Sequence, residues 1–147
     1  MQKTLQQQTV HWQAAQAAVS AAQEKATELG LRISASVCDR SGNAIAALRH
    51  PASPLHTSTI AADKAFTAAS FGFSTKDWMA FIESQNSPGL TAGIVTRDRL
   101  VVFGGGLPLY LDGELVGGIG VSGGSEEEDE LCSRAGLTAA GLSASPK

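Results

Sequence analysis

Several things are scarce in this chain, and each scarcity closes off a class of protein. Cysteine occurs only twice, at Cys38 and Cys132. Two residues so far apart give neither a disulfide framework nor the paired spacing of a zinc site, so reduced thiols and no bound metal are expected. Basic residues are outnumbered, 11 against 14 acidic, for a net charge of -3. No basic stripe is present to displace counterions from phosphates, so no nucleic-acid partner is expected. No apolar run reaches the ~20 residues that span a bilayer. The opening MQKTLQQQTV lacks the apolar core of a signal peptide, so a cytoplasmic location away from membranes is expected. Internal repeats and linker-like stretches are absent too, and residues 1–147 read as a single domain with one core.

What the chain has in quantity is glycine, 16 residues, concentrated in the stretch from Arg99 to Leu137 that organises the rest. Leu100 to Phe103 is a short apolar run ending at Gly104, Gly105 and Gly106, as for a buried strand that meets a special turn. Leu109 to Leu111 and Leu115 to Val121 flank Asp112-Gly113, a dipeptide that tolerates positive φ at both positions and favours a tight hairpin. Ser125 then offers an N-cap with Glu128 as its capping-box partner. Glu126, Glu127, Glu128 and Asp129 fill the first helical turn, where the helix dipole favours acids.

Upstream, an alanine-rich helix is expected over roughly residues 4 to 29, closed by Gly30. Ile33 to Val37 alternates as a half-buried strand, and Asp39 to Asn43 supplies turn chemistry before a second strand from Ala44 to Leu48. Two prolines, Pro51 and Pro54, hold the next segment out of regular pairing. Ser58 to Phe71 has helical periodicity, with Lys64 beside apolar neighbours. A short helix follows Ser74, with Asp77 as capping partner and Trp78, Phe81 and Ile82 on its apolar face. Ala92 to Val95 and Arg99 to Phe103 are expected as a further strand pair. The result is an α+β fold, with a mainly antiparallel sheet of about five strands flanked by helices.

Two motifs imitate catalytic signatures. Gly118-Ile119-Gly120-Val121-Ser122-Gly123 fits the dinucleotide fingerprint G-x-G-x-x-G, but the 24 residues beyond it hold one helix rather than the required further strand. Gly120-Val121-Ser122-Gly123-Gly124 fits G-x-S-x-G. The hydrolase that carries that elbow needs a histidine after the serine, and His11, His50 and His56 all precede it. Gly104 to Gly106, followed by Leu107 and Pro108, can form either an amide nest for a carboxylate or a bulge that allows close backbone packing.

Three segments together carry a family resemblance: ADKAFTA (Ala62 to Ala68), FGGGLPLYLDGELVGGIGVSGG (Phe103 to Gly124) and EDELCSRAGL (Glu128 to Leu137). They resemble the GlcG-like family, also called the haem-degrading or haem-binding family, which is similar to the C-terminal domain of PduO-type adenosyltransferases. The resemblance covers essentially the whole domain. It implies a profilin-like architecture, homo-oligomers and, for some members, bound haem. Iron prefers His, Cys, Met or Tyr as its axial partner, which makes His11, His50, His56, Cys38, Met79 and Tyr110 the candidates. His11 lies near the start of the first helix, the region in which some haem-binding relatives place a histidine. Aromatics are thin for a porphyrin slot, 5% of the chain, unless Phe66, Phe71, Phe73, Trp78, Phe81 and Phe103 cluster.

A second reading is a cofactor-independent enzyme acting on a small imino, enamino or keto acid. In it Lys64 serves as base or imine-forming amine, or holds a substrate carboxylate with the Gly105 and Gly106 amides. Asp63, His50, His56 or Glu130 would move protons, and Thr67, Phe103, Gly104 and Pro108 would line the pocket. Against this stands a Lys64 that merely snorkels or pairs with an acid. A third reading is an oligomeric scaffold whose pocket is vestigial.

Overall fold

The computed structural model describes residues 1–147. Its sheet is made of two local hairpins. In the first, β1 (Ser34–Asp39) pairs with β2 (Ala44–Arg49). Asp39 Oδ1 accepts from the Ser41 and Asn43 amides at 2.9 Å, and Gly42 takes φ 87°, so the turn is held by its own side chain. In the second, β3 (Gly106–Leu111) pairs with β4 (Glu114–Ser122) across Asp112 (φ 49°) and Gly113 (φ 84°), the hairpin turn expected from that dipeptide. The hairpins join through an antiparallel seam, with Ser34 opposite Ser122 and Asp39 opposite Gly117, giving the strand order β2-β1-β4-β3.

Helices cover both faces. On one lie α1 (Trp12–Glu28) and α5 (Glu126–Ala139). Ala15, Ala18, Val19, Ala22 and Ala26 of α1 form a core with Ile33, Ala35, Val37, Leu107, Leu109, Ile119, Val121, Cys132 and Leu137. The alanines serve close packing: a Cβ on Gly136 of α5 would come within 2.5 Å of the Ala18 carbonyl oxygen. On the other face lies α2 (Thr57–Phe71), which ends in a left-handed Gly72 cap. It rests directly on β4, because a Cβ at Gly118 or Gly120 would collide with the carbonyl oxygens of Ala65 and Ala61. The glycines that imitate a nucleotide fingerprint are therefore a helix-on-sheet seam. Two short helices, α3 (Trp78–Ser84) and α4 (Pro88–Gly93), complete the chain. No helix is long and apolar enough to cross a membrane.

The sheet has four strands rather than about five. Ala92 to Val95 is helical, because Ser87 caps α4 by accepting from the Leu90 amide and Pro88 sits at the first helical position. Arg99 to Phe103 is a loop: Arg99 takes φ 64°, which breaks an extended run, and the Val101 amide donates to Thr67 Oγ1 instead of to a strand. The first helix starts at Trp12, eight residues later than expected, since the glutamine-rich opening has no apolar face to bury. That opening is tied down at Val10, whose amide donates to the Val116 carbonyl.

The seam gives a sharp expectation. Gly120→Ala should lower unfolding free energy by about 3 kcal/mol through overpacking against α2. Gly89→Ala, where nothing lies within 4 Å of an added Cβ, should change it by less than about 0.5 kcal/mol. Urea unfolding of the two variants measures the difference.

Candidate functional site

Because Gly120 lets α2 approach so closely, Lys64 reaches through to the end of β4. Its Nζ donates to the Val121 carbonyl at 2.8 Å and to Asp129 Oδ2 at 2.9 Å, and the residue is 1% exposed. Asp129, in the first turn of α5, accepts from the Gly124 amide on its other oxygen at 2.8 Å. The Phe103 ring lies over the ammonium at 5.2 Å. Gly105, at φ 120°, has to be glycine because a Cβ would sit 2.6 Å from Nζ. Burial pushes the Lys64 ammonium below its ordinary range and Asp129 above its own, while the charge of each partner opposes both shifts. Lys64 is thus a paired interior cation without access to solvent.

The triglycine amides do not form a free nest. Gly104 N–H donates to Glu126 Oε1 at 2.6 Å, and Gly106 N–H to Thr75 Oγ1 at 2.9 Å. Thr67, 1% exposed, also works inward: its hydroxyl donates to the Arg99 carbonyl at 2.7 Å. Pro108 is buried in β3, an edge strand, where its missing N–H is tolerated. Phe103 stays 44% exposed.

Glu130 belongs to a separate group. Its Oε1 receives Lys76 Nζ at 3.0 Å and two Arg134 nitrogens, at 2.6 and 3.1 Å. Burial alone would raise this carboxyl, but the hydrogen bonds and charges of Lys76 and Arg134 outweigh it and hold Glu130 below its usual range. With Gly104 and Glu126 these residues line a charged cleft of about 550 Å³. His50 accepts from the Ala52 amide through Nδ1, and His56 is exposed at the start of α2. Neither bonds to Lys64, Asp129 or Glu130, so the four residues expected as catalytic do not assemble into one centre.

His11 occupies a different surface. It is the N-cap of α1 and is exposed; its Nδ1 accepts from the Gln13 amide at 3.3 Å, and its ring lies 5.6 Å from that of Trp12. Trp12, Val19, Ile45 and Leu48 line a mostly apolar groove of about 440 Å³ between α1 and β2. Met79 and His56 are exposed, but two other iron-ligand candidates are less available. Cys38 is buried, and burial pushes its thiol up to about 11; Tyr110 donates its hydroxyl to the Gly72 carbonyl. Phe71, Phe73, Trp78 and Phe81 do cluster, at centroid distances of 4.6 to 6.2 Å, while Phe66 stacks under Arg99 and Phe103 faces Lys64.

Asp129, Lys76, Arg134, Thr75 and Arg99 were not singled out by the sequence. The helix-dipole argument accounts for Asp129 as one of four first-turn acids and gives no sign that it turns inward. Lys76 and Arg134 lie 58 residues apart in the chain, and no local pattern links them.

An α+β domain with one helix laid on a glycine seam, and an apolar groove between α1 and the edge strand β2 on the other face, is the class of protein defined so far. Residues 10–138 match the family described as haem degrading protein HbpS-like, and the chain belongs to that family. It is 32% identical over 140 residues to an uncharacterized 15.0 kDa protein from the dhaT-dhaS intergenic region of Citrobacter freundii, covering 93% of this chain and 96% of that protein. Among solved structures it is similar to Klebsiella pneumoniae protein ORFY, with TM-score 0.86, 32% identity and coverage of 96% and 97% of the two chains. It is also similar to PduOC in a haem complex, with TM-score 0.83, 28% identity and coverage of 93% and 99%. The resemblance to GlcG and to PduO-type proteins holds, although the chain spans only about a third of full-length PduO.

Two outcomes follow from the charged groups. Lys64→Met leaves Asp129 buried without its cation and should cost about 3–5 kcal/mol, most of it regained in Lys64→Met/Asp129→Leu; urea unfolding of both variants measures this. Glu130, held below its ordinary 4.5, contributes stability that is complete above that value and is lost as acid takes the pH through the lower folded one. Replacing both Lys76 and Arg134 by glutamine should flatten that acid-side loss in a pH series of unfolding midpoints.

Proposed function

We propose that this protein binds haem or a closely related tetrapyrrole in the groove between α1 and β2, with His11 as axial ligand. It would act as a cytoplasmic homo-oligomer built on a profilin-like framework. The observation that carries the reading is an exposed imidazole, His11, whose ring lies 5.6 Å from that of Trp12, a residue that lines a mostly apolar groove. The chain's membership of a family described by haem degradation, and its likeness to a protein solved with haem, support it.

The residues fit the group. An apolar wall formed by Trp12, Val19, Ile45 and Leu48 suits one face of a macrocycle, and bound haem would supply an iron centre beside it. The Gln13 amide donates to His11 Nδ1, which places the neutral ring's proton on Nε2. Ligation through Nε2 requires that proton to move to Nδ1, which ends the cap. At 3.3 Å the cap bond is long, so releasing it costs little. Loading and the first turn of α1 are coupled in this way. The enzyme reading has no comparable support, since Lys64 is paired and enclosed.

Haemin titration followed by absorbance tests the proposal. The expected result is a saturable Soret shift at about one haem per chain, with quenching of exposed Trp12 fluorescence. His11→Ala should abolish the shift and His50→Ala should not. An equal shift in His11→Ala would overturn the assignment.

A further inference from the structure

On the sheet face opposite the α1–β2 groove, α2 and the loop that follows α4 form a third cavity, of about 310 Å³. That volume lies at the low end of the range for ligand sites and is far short of a porphyrin. Its walls are Phe66, Phe71, Ile94 and Leu100, and its polar edge carries Arg97 and Arg99.

Arg99 is held unusually firmly. It takes φ 64°, a left-handed conformation that costs a non-glycine residue about 1–2 kcal/mol. A loop with only a connecting role would use glycine there at no such cost. Three contacts from α2 fix it instead. Thr67 Oγ1 donates to the Arg99 carbonyl and accepts from the Val101 amide, at 2.7 and 3.1 Å. Asp63 Oδ1 accepts from Arg99 Nε at 2.8 Å. The Phe66 ring lies against the guanidinium, 4.0 Å from its centroid. Backbone, Nε and one face of the group are thus all engaged by protein, and the two Nη groups have no protein partner. Arg97 makes no ion pair or side-chain hydrogen bond either, although it lines the same pocket. A guanidinium anchored through Nε and one face, with its outer edge open, next to a second cation and an apolar cavity, is preorganised for a planar carboxylate. Asp98 at the rim disfavours ligands with a second negative charge.

We propose that this pocket receives small monocarboxylates with an apolar body, aromatic or branched aliphatic. The carboxylate lies on Arg97 and the outer edge of Arg99, and the hydrocarbon packs against Phe66, Phe71, Ile94 and Leu100. Strain at Arg99, held by Thr67 and Asp63, keeps the receptor formed before the ligand arrives.

The test is an NMR titration of the full chain with benzoate and with neutral benzamide. Benzoate should shift the amides of residues 67–71 and 94–100 saturably, and benzamide should bind at least about ten-fold more weakly. Arg97→Gln removes a side chain that no protein group uses, and should weaken benzoate about ten-fold without lowering Tm. Ser70→Trp, which fills the cavity from an exposed lining position, should abolish binding while Arg99 stays in place. Haemin titration should be unchanged in both variants. Equal affinity for benzamide, benzoate binding that survives Ser70→Trp, or the absence of saturable shifts at these amides would each overturn the proposal.

Discussion

The amino group of Lys64 is the point where four parts of the chain meet: α2 that carries it, the last turn of β4 at Val121, the start of α5 at Asp129, and the triglycine loop at Gly105. Removing an ammonium and a carboxylate from water is expensive, and their mutual attraction repays this only with good geometry. Here each charge has one further partner, a backbone carbonyl for the ammonium and the Gly124 amide for the carboxylate. The effect is less a gain in net stability than a condition on the fold. Any arrangement that shifts α2 along β4, or turns α5 away, leaves a bare charge inside. Gly118 and Gly120 are the geometric half of that condition, since only a strand without Cβ atoms there lets the helix lie low enough for Lys64 to reach.

Much of this was legible in the sequence, and the limits have physical causes. The Asp112-Gly113 hairpin and the Ser125 cap are local effects, governed by backbone freedom and end geometry, and they appear as expected, whereas β1, expected to be half-buried, is buried on both faces because α2 covers its serine side. The missing strands were misjudged because short apolar runs do not declare their partners. Ile94 and Val95 sit just behind a proline-started helix, and Val101 gives its amide to a threonine 34 residues earlier. For the site, composition identified Lys64 as unusual but left open whether its neighbours were solvent, substrate or an acid. That question depends on where α5 docks, which no local pattern encodes. The triglycine likewise admitted a nest or close packing, and long-range contacts with Glu126 and Thr75 decided for packing. Arg99 escaped notice because its significance lies in a dihedral angle, and sequence carries that information only when glycine or asparagine stands there.

The two faces of the sheet have taken on different characters. On one, small alanine side chains bring α1 tight against α5 and leave only the outer margin, where Trp12 meets β2, open to a ligand. On the other, α2 is pressed onto bare backbone, and the irregular chain beyond α4 wraps its exposed side. The charged cleft around Glu130 belongs to neither. Its two cations converge on a single carboxylate oxygen, with Lys76 tying α5 to the turn before α3, while the Gly104 amide on Glu126 holds the start of α5 beside the loop leaving Phe103.

The pairing of β1 with β4 has a consequence for how the molecule comes into being. Each hairpin is a local structure that can form as soon as its own residues exist, but the seam between them joins distant parts of the chain, a slow kind of contact to establish. During synthesis, β1, β2 and α2 emerge long before β4, with the buried face of α2 uncovered and Lys64 lacking both its carbonyl and its carboxylate. The β1–β2 hairpin can form early, but Lys64 cannot meet its partner carboxylate until Asp129 has left the ribosome. The nascent chain awaiting α5 therefore carries α2 with its cation unpaired, and the long-range seam closes only after β4 has emerged.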